Sequence, residues 1–199
     1  MAEISPKLVM ELRQRTGVGM MECKKALAET NGDVDLAIEA LRKRGAAKAA
    51  SKAERAASEG VVESYIHPGG RVGVIVEVNC ETDFVARTDD FQGLARNIAM
   101  HVAAMNPVAV RREEVSPELA ASERALHLDM VKAEGKPEAM VEKIVDGKMS
   151  KWYSEIVLLE QPYVKDDKKT VGDLLQEAIA KMGENIQVRR FAKFRLGQD

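Results

Sequence analysis

The sequence contains few cysteines and no long apolar run. Its only two cysteines, Cys23 and Cys80, form no CxxC pair and are too few for a disulfide framework or a four-ligand zinc site. No stretch approaches the roughly 18 apolar residues of a membrane span, and the first residues lack the apolar block of a secretory signal. We therefore expect a reduced, cytoplasmic protein that does not associate with membranes.

An excess of either charge is also missing. The chain has 30 lysine and arginine residues against 32 aspartate and glutamate residues, a net charge of −2. This balance gives the chain no general attraction to nucleic acid, and binding to DNA is not expected.

Residues that usually carry catalysis do not form a recognisable set. The three histidines, His67, His101 and His127, lie in different predicted elements, and neither HExxH nor GxSxG occurs. The segment "TGVG" at residues 16–19 follows a predicted helix and lacks the GK[ST] ending of a phosphate-binding loop. We expect no chemical active site, no metal, no cofactor and no direct nucleotide binding, and we interpret His101 as a partly buried helix residue.

The N-terminal part of the chain is predicted to be helical. Ser5 as N-cap and Pro6 at the first helical position begin a first helix, and Asp33 can cap a third. Residues 1–45 are therefore predicted to form a three-helix domain. Residues 46–60 are rich in alanine and lysine and carry no large apolar side chain, which predicts a solvated linker helix before a second domain over 61–199.

After Gly60 the apolar pattern changes to a period of two. The segments "VVESYI" and "RVGVIVEVN" flank the turn "HPGG" and predict a β-hairpin with one buried face, and residues 154–164 and 185–196 predict further strands. Spacings of three and four predict a helix over 91–105, a helical hairpin at about 117–152 and a helix after the capping box at Thr170. The predicted fold class is α+β, a small antiparallel sheet packed by helices.

Three local features suggest binding. Basic residues cluster at 42–56, and residues 189–195 interleave arginine with phenylalanine as strand-based RNA binders do. An RNA-binding module is therefore one hypothesis. The simpler interpretation is a solvated helix for the first cluster and a sheet strand with one charged face for the second. Met20 and Met21 are adjacent at a predicted helix start, so they cannot both face inward, and methionine suits an adaptable interface. A further alternative is that the N-terminal three-helix domain binds ubiquitin-like proteins or nascent chains. Phe84 lies in a connection after the valine strand, where position alone predicts a side chain that covers the core.

Four segments, in the same order, resemble one family over essentially the whole chain. They are "LRQRTGVGMMECKKAL", "NGDVDLAIEALRKRGAAKAA", "VEVNCETDFVAR" and "GENIQVRRF". They resemble elongation factor Ts, the guanine nucleotide exchange factor for elongation factor Tu, and "RTGxGMM" and "NCxTDFV" are the most specific motifs. The resemblance implies a ubiquitin-associated-like (UBA-like) N-terminal domain, an α+β core, and an activity in translation elongation that is binding rather than catalysis: family members bind elongation factor Tu and speed the release of GDP.

The resemblance also implies which residues bind the partner. They are Arg13, Met20, Met21, Thr82, Asp83, Phe84 and Val85. The first three match residues that contact the GTPase domain of elongation factor Tu. Asp83 and Phe84 match residues that act at its nucleotide-binding side, where the phenylalanine wedges between helices and disturbs the magnesium and phosphate site. The "GENI" stretch is implied to contact a second partner domain.

One feature departs from the longer family members. They duplicate half of the core, whereas this sequence has space for only one copy after residue 60. It therefore resembles the short form, whose members dimerise, and we expect a homodimer. The terminal strand, with Phe191 and Phe194 predicted on opposite faces, is the candidate for burial in that interface.

Overall fold

The computed structural model describes residues 4–198. The helices and strands of this range are, in chain order, α1 (Pro6–Thr16), α2 (Met20–Glu29), α3 (Val34–Lys52), β1 (Glu59–Ile66), β2 (Val72–Cys80), α4 (Asp83–Ala86), α5 (Asp89–Met105), α6 (Pro117–Ala133), α7 (Glu138–Ile156), β3 (Pro162–Tyr163), β4 (Asp166–Thr170), α8 (Val171–Met182) and β5 (Gln187–Arg195). One sheet has the order β1-β2-β5, and β3 pairs with β4 antiparallel in a second. The predicted α+β class is confirmed. Within the described range no helix is both long and apolar enough to cross a membrane.

The described residues form two compact units. The first contains residues 4–61, 78–94 and 173–187, and it begins with the predicted three helices. Their shared core consists of Val9, Leu12, Cys23, Ala26, Leu27, Ala37 and Leu41. The predicted caps are confirmed, because Ser5 Oγ accepts from the Leu8 amide at 3.3 Å and Asp33 Oδ1 accepts from the Leu36 amide at 2.9 Å.

One continuous helix stands where a third helix and a separate linker helix were expected. Residues 46–52 continue α3, and this stretch is packed on one side: Ala49 is buried, and a Cβ at Gly45 would lie 3.4 Å from the Cβ of Ala180 in α8. Small side chains therefore bring α3 close to α8. The same composition would also suit a solvated helix, so the pattern alone cannot distinguish the two.

The β1–β2 hairpin has the predicted alternation. In β2, Val74, Val76 and Val78 are buried while Ile75 is exposed. Gly60 in β1 has φ 147°, and a Cβ there would lie 2.1 Å from the carbonyl oxygen of Val78. Only glycine allows β1 to run so close to β2 at this residue.

The second compact unit contains residues 62–77, 95–172 and 188–198. The predicted helical hairpin is present as α6 and α7, whose buried contacts are Val131, Val141, Val145 and Met149. The strand predicted over 154–164 is wrong, because α7 continues to Ile156 and only Pro162–Tyr163 of this range forms a strand. Trp152, Tyr153 and Ile156 keep the helical spacing and pack on Ala109, Val115 and Val157, which favours helix over strand there.

A buried hydrogen-bond network occupies the second unit. His101 is fully buried, with Nε2 2.9 Å from Gln161 Oε1 and Nδ1 accepting from the Val164 amide at 3.2 Å. Gln161 Nε2 in turn donates to the carbonyl oxygens of Met105 and Glu155. Because Nδ1 accepts, the imidazole is neutral with its proton on Nε2, and burial lowers the pKa of His101. The interpretation of His101 as a structural helix residue is confirmed, and it is more deeply buried than expected.

Candidate protein-binding site

The segment after β2 forms a single helical turn. Thr82 is the N-cap of α4, and its hydroxyl oxygen accepts from the Val85 amide at 3.4 Å. Asp83 in the first turn forms an ion pair with Arg87 at 2.8 Å. Ala86 is buried, so the inner face of the turn is anchored. The turn therefore has one fixed face and one free face.

Phe84 lies on the free face. Its side chain is 78% exposed, more than any other large hydrophobic residue in the described range. The expectation from position alone, that Phe84 covers the core, is wrong. Since Ala86 is buried and Val85 is half-buried, the helical geometry directs Phe84 outward.

Residues 82–85, called the TDFV turn below, are held by a residue about a hundred positions away in the sequence. The Glu184 carboxylate accepts from the Glu81 and Thr82 amides, each at 3.1 Å, and from the Thr82 hydroxyl at 2.6 Å. Sequence reasoning did not assign this role to Glu184, because no local pattern connects residues 82 and 184. A glutamate just after a glycine that ends a helix was the only available signal.

The last two residues of the "GENI" stretch, Asn185 and Ile186, are buried, whereas Gly183 is exposed. Asn185 and Ile186 are each 1% exposed. The Asn185 amide donates to Glu81 Oε1 at 2.6 Å, and its side chain donates to the Arg55 carbonyl oxygen at 2.7 Å. Buried in this way, Asn185 and Ile186 are not available for the partner contact that the resemblance implied.

The turn between α1 and α2 presents the second set of expected binding residues. Met20 is 39% and Met21 77% exposed, and Arg13 is exposed as well. The sequence predicted that one methionine would be exposed, and both are. Met10, three residues before Arg13 on the same side of α1, is exposed too and was not singled out.

Local hydrogen bonds hold this turn. Gly17 has φ 67°, and its amide donates to the Arg13 carbonyl oxygen, which ends α1 in a left-handed cap. The Cys23 thiol donates to the Val18 carbonyl oxygen at 3.4 Å. The two methionines thus start α2 from a defined backbone. Both expected groups, the α1–α2 turn and the TDFV turn, belong to the first compact unit.

Several residues of each basic cluster have partners within their own unit. In α3, Arg42, Arg44 and Lys48 pair with Glu177, Glu29 and Glu22, and Lys52 donates to a carbonyl oxygen. In β5, Arg190 pairs with Glu77 at 2.7 Å, and Lys193 donates to the carbonyl oxygens of Val102 and Ala103. The four ion pairs reduce the positive charge available to phosphates and weigh against the RNA-binding hypothesis.

The polar groups near the TDFV turn stabilise its backbone. Burial, followed by the negative charge of Glu184, raises the pKa of the Cys80 thiol, which therefore stays protonated and donates to the Thr82 carbonyl oxygen at 3.1 Å. Over residues 4–198 no three histidine, cysteine, aspartate or glutamate side chains are grouped so as to hold a metal ion. The arrangement provides an exposed apolar side chain on a fixed turn, which suits protein binding.

Comparison with known proteins agrees with the resemblance. The family model described as elongation factor TS matches residues 39–178. Elongation factor Ts of Desulforamulus reducens is 58% identical over 198 residues, covering 100% of this chain and 91% of the relative. The Anaeromyxobacter dehalogenans protein of the same name (strain 2CP-1) is 59% identical over 198 residues, with 100% and 90% coverage. That of Thermosipho melanesiensis is 56% identical over 195 residues, covering 98% of this chain and 100% of the relative. On this evidence, the chain belongs to the elongation factor Ts family.

Proposed function

We propose that this chain binds GDP-loaded elongation factor Tu and promotes release of GDP, so that GTP can bind, by contact alone and without making or breaking a covalent bond. Phe84 acts as a wedge at the nucleotide-binding side of the partner. Arg13, Met20 and Met21 provide a second contact, with the GTPase domain. The observation that carries the proposal is the 78% exposure of Phe84 on a turn whose backbone is hydrogen-bonded on its inner side.

An exposed phenylalanine on an ordered turn suits this role. Phenylalanine is among the residues most often buried, so its exposure here has a cost in water that contact with a partner would remove. Because the turn is already ordered, little conformational entropy is lost when the side chain enters the partner. A wedge on a mobile loop would lose more of its binding energy to ordering.

The energy required exceeds what one side chain supplies. Exchange is negative coupling: a factor that weakens GDP binding is itself weakened equally by GDP. An acceleration of about 10³ to 10⁵ requires roughly 4 to 7 kcal/mol of differential binding. Burying one phenylalanine yields about 1.5 to 3 kcal/mol. The remaining binding energy must come from a second contact, which we assign to the exposed methionines at the start of α2.

Release of fluorescent GDP from elongation factor Tu tests the wedge. Phe84→Ala is expected to slow stimulated release by about 10- to 100-fold, the equivalent of one buried phenylalanine. Binding to nucleotide-free elongation factor Tu should be retained in large part, whereas replacing both Met20 and Met21 by alanine should weaken it. Leu126→Ala, which removes an exposed apolar side chain from α6, is the matched control. Release at the wild-type rate with Phe84→Ala would exclude the wedge.

We further propose that two copies of the chain associate through the outer face of the β1-β2-β5 sheet. Four exposed apolar residues of the second unit lie on this face: Val62, Ile66, Ile75 and Phe194. A Cβ at Gly73 would lie 3.1 Å from Ile66 Cδ1, and Arg190 pairs with Glu77, so alternate residues of all three strands share the face. Several exposed apolar side chains on one face of a sheet support an interaction site there.

A cytoplasmic location remains a prediction. It is supported by the unpaired state of Cys23 and Cys80, both buried as free thiols. Free thiols persist in reducing compartments.

A further inference from the structure

The Thr82 hydroxyl has two hydrogen-bond partners with opposite requirements. Its single proton is donated to Glu184 Oε1 at 2.6 Å, while its oxygen faces the Val85 amide at 3.4 Å. A hydroxyl has one donor and can accept through its lone pairs. With the proton committed to the carboxylate, the lone pairs are oriented toward the first turn of α4. Glu184 thus determines the direction in which the N-cap of the Phe84 turn accepts.

The same carboxylate also fixes the backbone that leads into the turn. Its second oxygen, Oε2, accepts from the Glu81 and Thr82 amides at 3.1 Å each. Bonds from amides to an ionised carboxylate are stronger than bonds between neutral groups. We call this set of three hydrogen bonds, from the Glu81 amide, the Thr82 amide and the Thr82 hydroxyl to Glu184, the Glu184 clamp.

The connection is reciprocal. Glu81 Oε1 accepts from the Asn185 amide at 2.6 Å and lies 3.5 Å from Arg55 Nη1. Each of two neighbouring glutamates therefore binds backbone donors of the other's segment. This doubles the link between residues 81–82 and 184–185 and limits rotation of one segment against the other.

We infer that Glu184 is a positioning residue for nucleotide exchange, which holds the Thr82–Phe84 turn in the orientation that projects the Phe84 side chain. This rests on the proposed function, in which Phe84 is the wedge. Glu184 does not need to touch elongation factor Tu for this role, since it acts through the turn. An unclamped turn would still carry Phe84 but would have to be ordered during binding.

The test combines Glu184→Ala with Phe84→Ala in the full-length chain. With fluorescent GDP on elongation factor Tu, Glu184→Ala alone should slow stimulated release by about tenfold at limiting concentrations of the factor. In the Phe84→Ala background the same substitution should change release by less than about twofold, because the side chain it positions is gone. Glu142→Ala, which removes a carboxylate of an exposed ion pair in α7, is the control with the same change in charge.

A second readout does not depend on exchange activity. Amide hydrogen exchange of Thr82 and Val85 in the free factor should be about tenfold faster in Glu184→Ala than in wild type. Glu184→Gln keeps one carbonyl acceptor and is expected to be intermediate in both measurements. This variant serves if Glu184→Ala fails to fold, as judged by circular dichroism.

The outcomes separate the two proposals. Normal release with Phe84→Ala overturns the proposed wedge. Slow release with Phe84→Ala but normal release with Glu184→Ala overturns only the positioning role. Two further results would also overturn the positioning role, because they would mean that Glu184 acts other than through Phe84. One is that Glu184→Ala slows GDP release equally in the wild-type and Phe84→Ala chains. The other is that Glu184→Ala slows release while hydrogen exchange of the Val85 amide is unchanged.

Discussion

At the scale of one residue, Phe84 is expected to contribute to partner binding and hardly at all to the stability of the fold. Because its side chain is 78% exposed, Phe84→Ala removes few internal contacts, and the free energy of unfolding should stay within about 0.5 kcal/mol of wild type. A urea titration of the free factor measures this directly. A loss comparable to that of a core phenylalanine would mean that Phe84 packs internally and is not held out for a partner.

His101 gives a pH dependence to the stability of the fold. Burial lowers its pKa in the folded chain below the ordinary value of 6.5, so on acidification the unfolded chain takes up the proton first. This contribution is fully present above about pH 6.5 and is lost as the pH falls from there to the folded pKa, by up to about 1.4 kcal/mol per pH unit. Burial is the main cause of this penalty, and the Val164 amide acts in the same direction because it donates to Nδ1, which cannot accept once it is protonated.

The measurement is the free energy of unfolding between pH 5 and pH 7 for wild type and His101→Gln. The variant should be less stable at pH 7 and should show a shallower decline below pH 6.5. The Tyr163 ring, 6.0 Å from His101, is neutral over this range, since the ordinary tyrosine pKa of 10.0 lies well above it and burial raises the pKa of Tyr163 further. Leu126→Ala, which removes an exposed apolar side chain that does not titrate, is the control and should keep the wild-type slope. Equal slopes in His101→Gln and wild type would contradict the assignment.

Helix α3 shows the limit of prediction at the scale of an element. The caps Ser5 and Asp33 and the apolar spacings were predictable because each depends on residues within about four positions. The end of α3 was not, because an alanine-rich helix can be solvated or can approach another helix closely. Only the contact of Gly45 with Ala180 decides between these.

A substitution at Gly45 tests that contact. A Cβ at this position would meet Ala180 Cβ at 3.4 Å, an ordinary van der Waals distance, so Gly45→Ala should stabilise the chain by about 0.5 to 1 kcal/mol through helix propensity. Gly45→Phe should destabilise it by about 1 to 3 kcal/mol, because a ring does not fit between the two helices.

Urea unfolding measures both variants. Gly147 in α7, with no atom within 4 Å of its Cβ position, is the matched control, and both alanine and phenylalanine should be tolerated there. If phenylalanine is tolerated equally at residues 45 and 147, then α3 and α8 do not pack as described.

At the scale of the whole molecule, the α3–α8 contact changes how the N-terminal contact can be tested. Deleting residues 1–50 would remove the α1–α2 turn but would also uncover the face of α8 on which Gly45 packs. A loss of exchange in such a truncation would combine lost binding with lost packing. Substitution of the exposed Met20 and Met21 separates the two, because neither methionine belongs to the buried set of the helices.

The proposed dimer makes a prediction at the same scale. Phe194→Glu introduces a charge into the exposed apolar face of the β1-β2-β5 sheet and should convert a dimer to a monomer in sedimentation experiments. The fold should be unchanged, because residue 194 is 68% exposed. Met140→Glu on α7 is the control for an added surface charge. A wild-type chain that sediments as a monomer at all concentrations would exclude this association.

The sequence alone determined the helical and strand periods, the caps, the free cysteines and the family, because each depends on near neighbours or on the order of motifs. Tertiary structure decided how those parts act on one another. It turned Phe84 outward although its position suggested core, buried Asn185 and Ile186 of the "GENI" stretch, and joined Glu184 to Thr82 across 102 residues. A carboxylate and its backbone donors become partners only when the folded chain brings distant segments within hydrogen-bond distance, and no local periodicity encodes that closure.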